Sequence, residues 1–144
     1  EIPPLRYEVP ARLKAEHPEL QVILNGGLKT AAQVREWLPR VDGVMLGRQA
    51  YQEPYLLAEL DAELLGPGVT PPSREDVVER SADYVETMLP QGHRLPLLLR
   101  HAHGLYAGQP NARSWRRYLT ERGSQPGAGA EVLRQSLRMF RQAA

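Results

Sequence analysis

With 144 residues and 42% apolar content, the chain has enough apolar material for one ordinary domain or two small ones, which excludes a disordered polypeptide. It has no cysteine, which excludes a disulfide framework, a thiolate metal site and a cysteine nucleophile within it and fits a reducing compartment such as the cytoplasm. The net charge of +1 hides an asymmetry: residues 1–90 carry 9 Lys/Arg against 15 Asp/Glu, a net −6, whereas residues 91–144 carry 9 Arg against Glu121 and Glu131, a net +7.

No apolar run approaches the ~20 residues of a membrane-spanning helix. The opening Glu1-Ile2-Pro3-Pro4 has neither a start Met nor a basic-then-apolar leader, and reads as cut out of something longer. A short helix is expected around Val9 and Leu13, with Pro10 tolerable only in its first turn and Pro18 ending it. Gln21 to Leu24 then reads as a strand. Its continuous apolar character predicts burial on both faces, as in a parallel sheet flanked by helices.

The run Val22-Ile23-Leu24 stops at Asn25-Gly26-Gly27, and Gly43-Val44-Met45-Leu46 stops at Gly47-Arg48. Between them Thr30 and Gln33 have the spacing of a capping box, followed by Ala31, Val34 and Leu38 on one helical face and a stop at Pro39. Strand, glycine turn, helix, strand and glycine turn make a βαβ unit with parallel strands. Pro54 then suits a first helical residue, and Leu56, Leu57, Leu60, Leu64 and Leu65 have helical spacing up to Gly66.

Gly66 to Pro72 is rich in breakers and is the best linker in the chain, so residues 1–66 and 73–144 are expected to be separate domains, with 67–72 between them. Beyond it the pattern is helical only. Ser73 with Asp76 caps a helix carrying Val78, Ala82, Val85 and Leu89, which Pro90 and Gly92 break. Pro96 to Leu105, with Leu98, Ala102 and Leu105 on one face, is expected to be the buried centre of a bundle. Near Asn111 a helix begins in which Ala112, Trp115 and Leu119 point one way while Arg113, Arg116 and Arg117 cluster elsewhere. A last helix from Ala130 to Phe140 offers Leu133, Leu137 and Phe140 to the bundle.

Glycines directly after parallel strands let a ligand approach the backbone, and amides at a following helix start favour phosphate. Two such turns side by side fit the phosphate site of a (β/α)8 barrel, with Arg48 as a bidentate partner. The alternative is that the glycines only make tight turns and that Arg48 forms a salt bridge. The basic C-terminal third reads likewise as a face for nucleic-acid phosphates, or as a consequence of composition, since 16 of the 18 basic residues are Arg. His101 and His103, two apart on a helix, would point in different directions, so no shared metal ion is expected. His17 and His93 fall in turns. Asp42 precedes a strand, on the side where stability rather than chemistry is usually found. Trp115 belongs to the core rather than to a base-stacking surface.

Ile2-Pro3-Pro4-Leu5, Asn25-Gly26-Gly27, the Val41 to Arg48 run, Ala50-Tyr51, Arg100-His101 and the Ala112 to Leu119 helix together resemble the C-terminal part of the tRNA-dihydrouridine synthases, most closely the DusA-like branch. That resemblance implies the last two βα units of a (β/α)8 TIM barrel followed by an all-helical bundle domain that grips tRNA. It also implies FMN as cofactor, NADPH as reductant and reduction of the C5=C6 bond of a D-loop uridine, position 20/20a by the branch. By position, Asn25, Gly26 and Gly27 match the family's flavin-phosphate turn after the seventh strand, and Gly47 with Arg48 the turn after the eighth. Arg113 and Arg116 fall where the family contacts tRNA, with Arg117 and Arg100 as further candidates. The family's general acid is a cysteine from the first half of the barrel, and two strands cannot close a barrel of ~250 residues. This chain is therefore expected to be a fragment, inactive alone. A pure RNA-binding module and a phosphate-binding barrel with another substrate are the alternatives.

Overall fold

The computed structural model describes residues 4–66 and 68–138. Glu1, Ile2, Pro3 and Phe140, and Pro67 of the expected linker, lie outside the described residues. The backbone falls into two compact units, Glu1–Ala50 and Tyr51–Ala144. It is mostly helical with one small parallel sheet.

In the first unit, α1 (Glu8–Glu16) takes Pro10 in its first turn, where a missing N–H costs nothing, and buries no residue. β1 (Ile23–Asn25) and β2 (Gly43–Met45) pair in parallel, with Ile23 opposite Gly43, Leu24 opposite Val44 and Asn25 opposite Met45. The connecting α2 (Ala31–Trp37) passes at Leu38 into a 3-10 turn carrying Pro39. Its cap is a variant of the expected box. Thr30 Oγ1 accepts the Gln33 N–H at 3.2 Å, but Gln33 Oε1 accepts from the Lys29 N–H at 2.8 Å, one residue before the cap.

The sheet is not buried on both faces. Leu24 is 2% exposed and Val34 of α2 is buried, whereas Ile23 is 50% and Met45 54% exposed. A parallel pair loses both faces from solvent only when layers cover both, and in this unit the face bearing Ile23 and Met45 stays open. At the opposite end from the glycine turns, Val22 N–H donates to Asp42 Oδ2 (2.8 Å), Asp42 N–H donates to Val22 C=O (2.9 Å), and Lys14 Nζ lies 2.9 Å from Asp42 Oδ1. The Val22 N–H first, then Lys14, hold the Asp42 carboxyl below the usual carboxylate range. Asp42 thus ties the starts of the two strands together.

α3 (Arg48–Gln52) follows β2, and α4 (Tyr55–Leu64) begins after Pro54. Of the five leucines with helical spacing, only Leu56 and Leu60 are buried; Leu57, Leu64 and Leu65 are exposed. The end of the breaker-rich stretch is tied down. Tyr55 Oη donates to Pro72 C=O (2.9 Å), the Arg74 guanidinium stands 3.7 Å from the Tyr55 ring centre, and Arg74 Nε donates to Leu105 C=O (2.9 Å).

α5 (Arg74–Met88) starts from a complete capping box: Asp76 N–H donates to Ser73 Oγ (3.0 Å) and Ser73 N–H to Asp76 Oδ2 (3.2 Å). It buries Val78, Ala82 and Val85, continues into a 3-10 turn at Leu89, and ends at Gly92 with φ +89°. The apolar segment beyond is not one helix. α6 (Leu95–Leu99) has five residues and is followed by turns through Gly108, so the register shifts. Leu95, Leu99 and Leu105 are buried, while Leu98 and Ala102 are half-buried. Pro96 permits only a helix start, and Gly104 and Gly108 favour turns over its continuation. α7 (Ala112–Gly123) sends Trp115 and Leu119, both 0% exposed, into the core. α8 (Glu131–Ser136) contributes Val132 and Leu133, and Leu137 beyond it is also buried.

Candidate cofactor turns and nucleic-acid interface

The parallel register decides where the two glycine turns open. Asn25 ends β1 opposite Met45, so Gly26-Gly27 and Leu46-Gly47-Arg48 leave the same end of the sheet side by side. The turns differ in what makes them glycine. Gly26 and Gly27 have φ of +133° and +64°, and Tyr7 Oη donates to Gly26 C=O at 2.8 Å. A Cβ on Gly27 would stand 2.6 Å from both Leu5 Cδ1 and Tyr7 Oη. Packing and backbone therefore explain this turn from within the chain. Gly47 is different: it is exposed, its φ lies outside the left-handed range, and a Cβ there would meet nothing within 4 Å. Nothing among the described residues requires a glycine there. Arg48 next to it is exposed, and so is Asn25. Of the five predicted cofactor residues, Asn25 is the last of β1, Gly26, Gly27 and Gly47 lie in the two adjacent turns, and Arg48 is the first of α3, where it adds one guanidinium.

In the second unit Arg113, Arg116 and Arg117 are exposed on α7, opposite Trp115 and Leu119, and Arg100 is exposed just after α6. Arg117 is partly answered within its own helix, Nε lying 3.6 Å from Glu121 Oε1. Trp115 does more than fill space. Its ring centre is 4.7 Å from that of Tyr106, and Nε1 donates to Ala102 C=O at 3.4 Å, which fastens residues 100–103 against α7. His103 is half-buried in that segment; burial first, then the nearby Arg116 charge, push its imidazole below the usual value, so it is neutral at pH 7. Burial and the neighbouring Glu75 charge push the Tyr106 hydroxyl up, so it stays protonated.

One cation of the basic third is not available to a ligand. Arg134 of α8 reaches across to α5, lying 3.2 Å from Glu79 Oε2, 2.7 Å from Asp83 Oδ1 and 2.5 Å from Glu86 Oε1. Its hydrogen bond holds the Glu86 carboxyl below its usual range, and the acids in turn push the guanidinium up. Charge counting missed this clamp. The signal was in the chain, since Glu79, Asp83 and Glu86 are spaced by four and three and so form one acidic stripe on α5. An apolar cavity of about 470 Å³ between α4, α5 and residues 98–105 is lined by none of the nine predicted residues. Among the described residues no group of three or more His, Cys, Asp or Glu is placed to hold a metal ion, and no helix is long and apolar enough to cross a membrane.

Comparison with known proteins gives the family of the chain. The family model for Dihydrouridine synthase (Dus) matches residues 1–142. The chain belongs to this family. It is 46% identical over 134 residues to the tRNA-dihydrouridine(20/20a) synthase of Shewanella oneidensis, covering 93% of this chain and 40% of that protein. It is 44% identical over 137 residues to the protein of the same name from Vibrio vulnificus (95% and 42% covered), and 44% identical over 140 residues to that of Salmonella typhi (97% and 42%). The chain thus spans about two fifths of the length of the curated relatives it matches.

Proposed function

We propose that this chain is the C-terminal part of a tRNA-dihydrouridine synthase that reduces the C5=C6 bond of a D-loop uridine at position 20/20a, using FMN and NADPH. The observation that carries the proposal is the match over residues 1–142 to a family whose similar members bear that name, joined to two glycine turns that open at one end of a parallel sheet. On this reading residues 1–66 are the last two βα units of a (β/α)8 barrel, 67–72 a linker and 73–144 the helical domain that holds tRNA. The open sheet face bearing Ile23 and Met45 is what a barrel interior would cover.

The donor set fits a phosphate monoester. Asn25, Gly26 and Gly27 offer backbone N–H groups in a turn already shaped by Tyr7, and Gly47 leaves space for close backbone approach. Arg48 supplies a guanidinium whose paired donors match two phosphate oxygens. The chemistry such a flavin supplies is hydride delivery to the uracil ring, with NADPH as the source of electrons. This chain's share is to hold the phosphate end and to grip the RNA through Arg113 and Arg116, aided by Arg100 and Arg117. Proton donation to the uracil belongs to residues outside it, because the chain contains no cysteine, and the chain alone is inactive. The test uses the full-length parent, purified and incubated with unmodified tRNA and NADPH. Bound flavin and a reduced D-loop uridine are expected; a flavin-free protein that leaves the uridine intact contradicts the proposal.

A further inference from the structure

Residue 51 and residue 101 meet on the surface of the second unit. The Tyr51 and His101 ring centres are 5.6 Å apart with planes at 88°, an edge-to-face contact. Such pairs ordinarily serve to bury area, but here both partners are open to solvent, Tyr51 being 53% exposed. The pair is set beside positive charge. Arg100 is adjacent to His101 and exposed. The Trp115 to Ala102 hydrogen bond fixes the next residue to α7, and the Arg116 charge is felt at His103. Ring surface and guanidinium groups therefore share one region, held by Trp115, the largest fully buried side chain among the described residues.

Unpaired RNA bases are recognised by this combination: aromatic rings that stack on splayed-out bases, with cations on the flanking phosphates. We propose that Tyr51 and His101 form a stacking platform for one unpaired base of the bound tRNA, beside the phosphate grip of Arg100 and Arg116. The inference rests on the tRNA reading above and extends it from phosphate contact to base contact.

Stacking and phosphate contacts differ in salt dependence. Losing one stacked base weakens binding by about 5- to 150-fold at every salt concentration, whereas losing a phosphate contact also flattens the dependence of log K on log salt. The full-length parent should therefore be titrated with unmodified tRNA over a salt series. A Tyr51→Leu/His101→Leu variant is expected to lose affinity by about that factor with an unchanged slope, and Tyr51→Phe, which keeps the ring, to bind as the parent does. Matched unfolding midpoints show that the variants are folded. Unchanged affinity in Tyr51→Leu/His101→Leu, or a loss that comes with a flatter slope, overturns the platform. An Arg113→Ala/Arg116→Ala variant run alongside separates the two failures. If it loses affinity and slope while the aromatic variant does not, only the platform falls; if neither changes, the tRNA reading falls with it.

Discussion

Gly27→Ala and Gly47→Ala make a paired test, because the two glycines sit in adjacent turns and the structure gives each a different reason. At Gly27 the left-handed φ of +64° costs a Cβ-bearing residue about 1–2 kcal/mol. The new Cβ would also stand 2.6 Å from Leu5 Cδ1 and Tyr7 Oη, roughly 1 Å inside normal contact; the exposed Leu5 side chain can swing clear, whereas the Tyr7 hydroxyl has to move. Moving the Tyr7 hydroxyl loosens its hydrogen bond to Gly26 C=O, worth about 1 kcal/mol. Against these, alanine reduces unfolded-chain entropy by about 0.4–1 kcal/mol. The net expectation is a loss of about 1–2.5 kcal/mol. At Gly47 no atom of the described residues lies within 4 Å of the new Cβ and the backbone is not left-handed, so stability should move by less than about 0.5 kcal/mol. If that position faces the flavin phosphate, the methyl group displaces it, and flavin affinity falls by about tenfold or more. Urea unfolding and flavin-fluorescence titration of the full-length parent read the two quantities separately. A Gly47→Ala variant that loses stability as Gly27→Ala does refutes the structural reasoning. One that keeps both stability and flavin affinity refutes the phosphate assignment.

Trp115→Phe removes volume from a fully buried site and the hydrogen bond to Ala102, and should cost about 1–3 kcal/mol in urea unfolding. Ser73→Ala removes the α5 cap at a cost of about 1 kcal/mol. Asp76 and Asp42 have carboxyls held below their ordinary value of 3.8, so their contribution to stability is fully present above that value and is lost as pH falls through the folded one. Asp76→Asn should flatten the acid limb of the stability profile, measured by unfolding from pH 6 to pH 2. Arg134→Met should destabilise the second unit, with the loss shrinking as salt rises, because the Glu79, Asp83 and Glu86 partners are exposed. Arg113→Ala/Arg116→Ala should lower the slope of log K for tRNA against log salt by about 1.5.

Much of this architecture was legible in the sequence because local chemistry and tertiary packing agree there. The Ser73/Asp76 pair starts α5, Thr30 starts α2, Gly92 stops the segment after α5, and the helical spacing of Trp115 and Leu119 matches their burial. Where the reading failed, the missing information was non-local. Apolar runs do not say how many layers cover a strand, so the Gln21 to Leu24 run predicts Ile23 inside, and within this chain it lies exposed. The apolar stretch from Pro96 to Leu105 was expected on one helical face, but the chain leaves the helix after Leu99 and brings Leu105 back by turns. α3 is only five residues long, too short to declare a period. By charge alone Arg134 is one more cation of a basic third, because its acids lie some 50 residues earlier on α5, Glu86 at 48 and Glu79 at 55 positions away. For the candidate site, the residue types and their turns were legible, while Tyr7 behind Gly26 and Tyr51 beside His101 were not, because each pairs across a sequence gap that no local pattern bridges.

The most direct measurement is the state of the D-loop uridines in tRNA incubated with the full-length parent, its bound flavin and NADPH. The account predicts a gain of two hydrogens on a uridine at position 20 or 20a, which Arg113→Ala/Arg116→Ala strongly reduces. Unreduced uridines at both positions, in a reaction where the protein is folded and carries flavin, would contradict it.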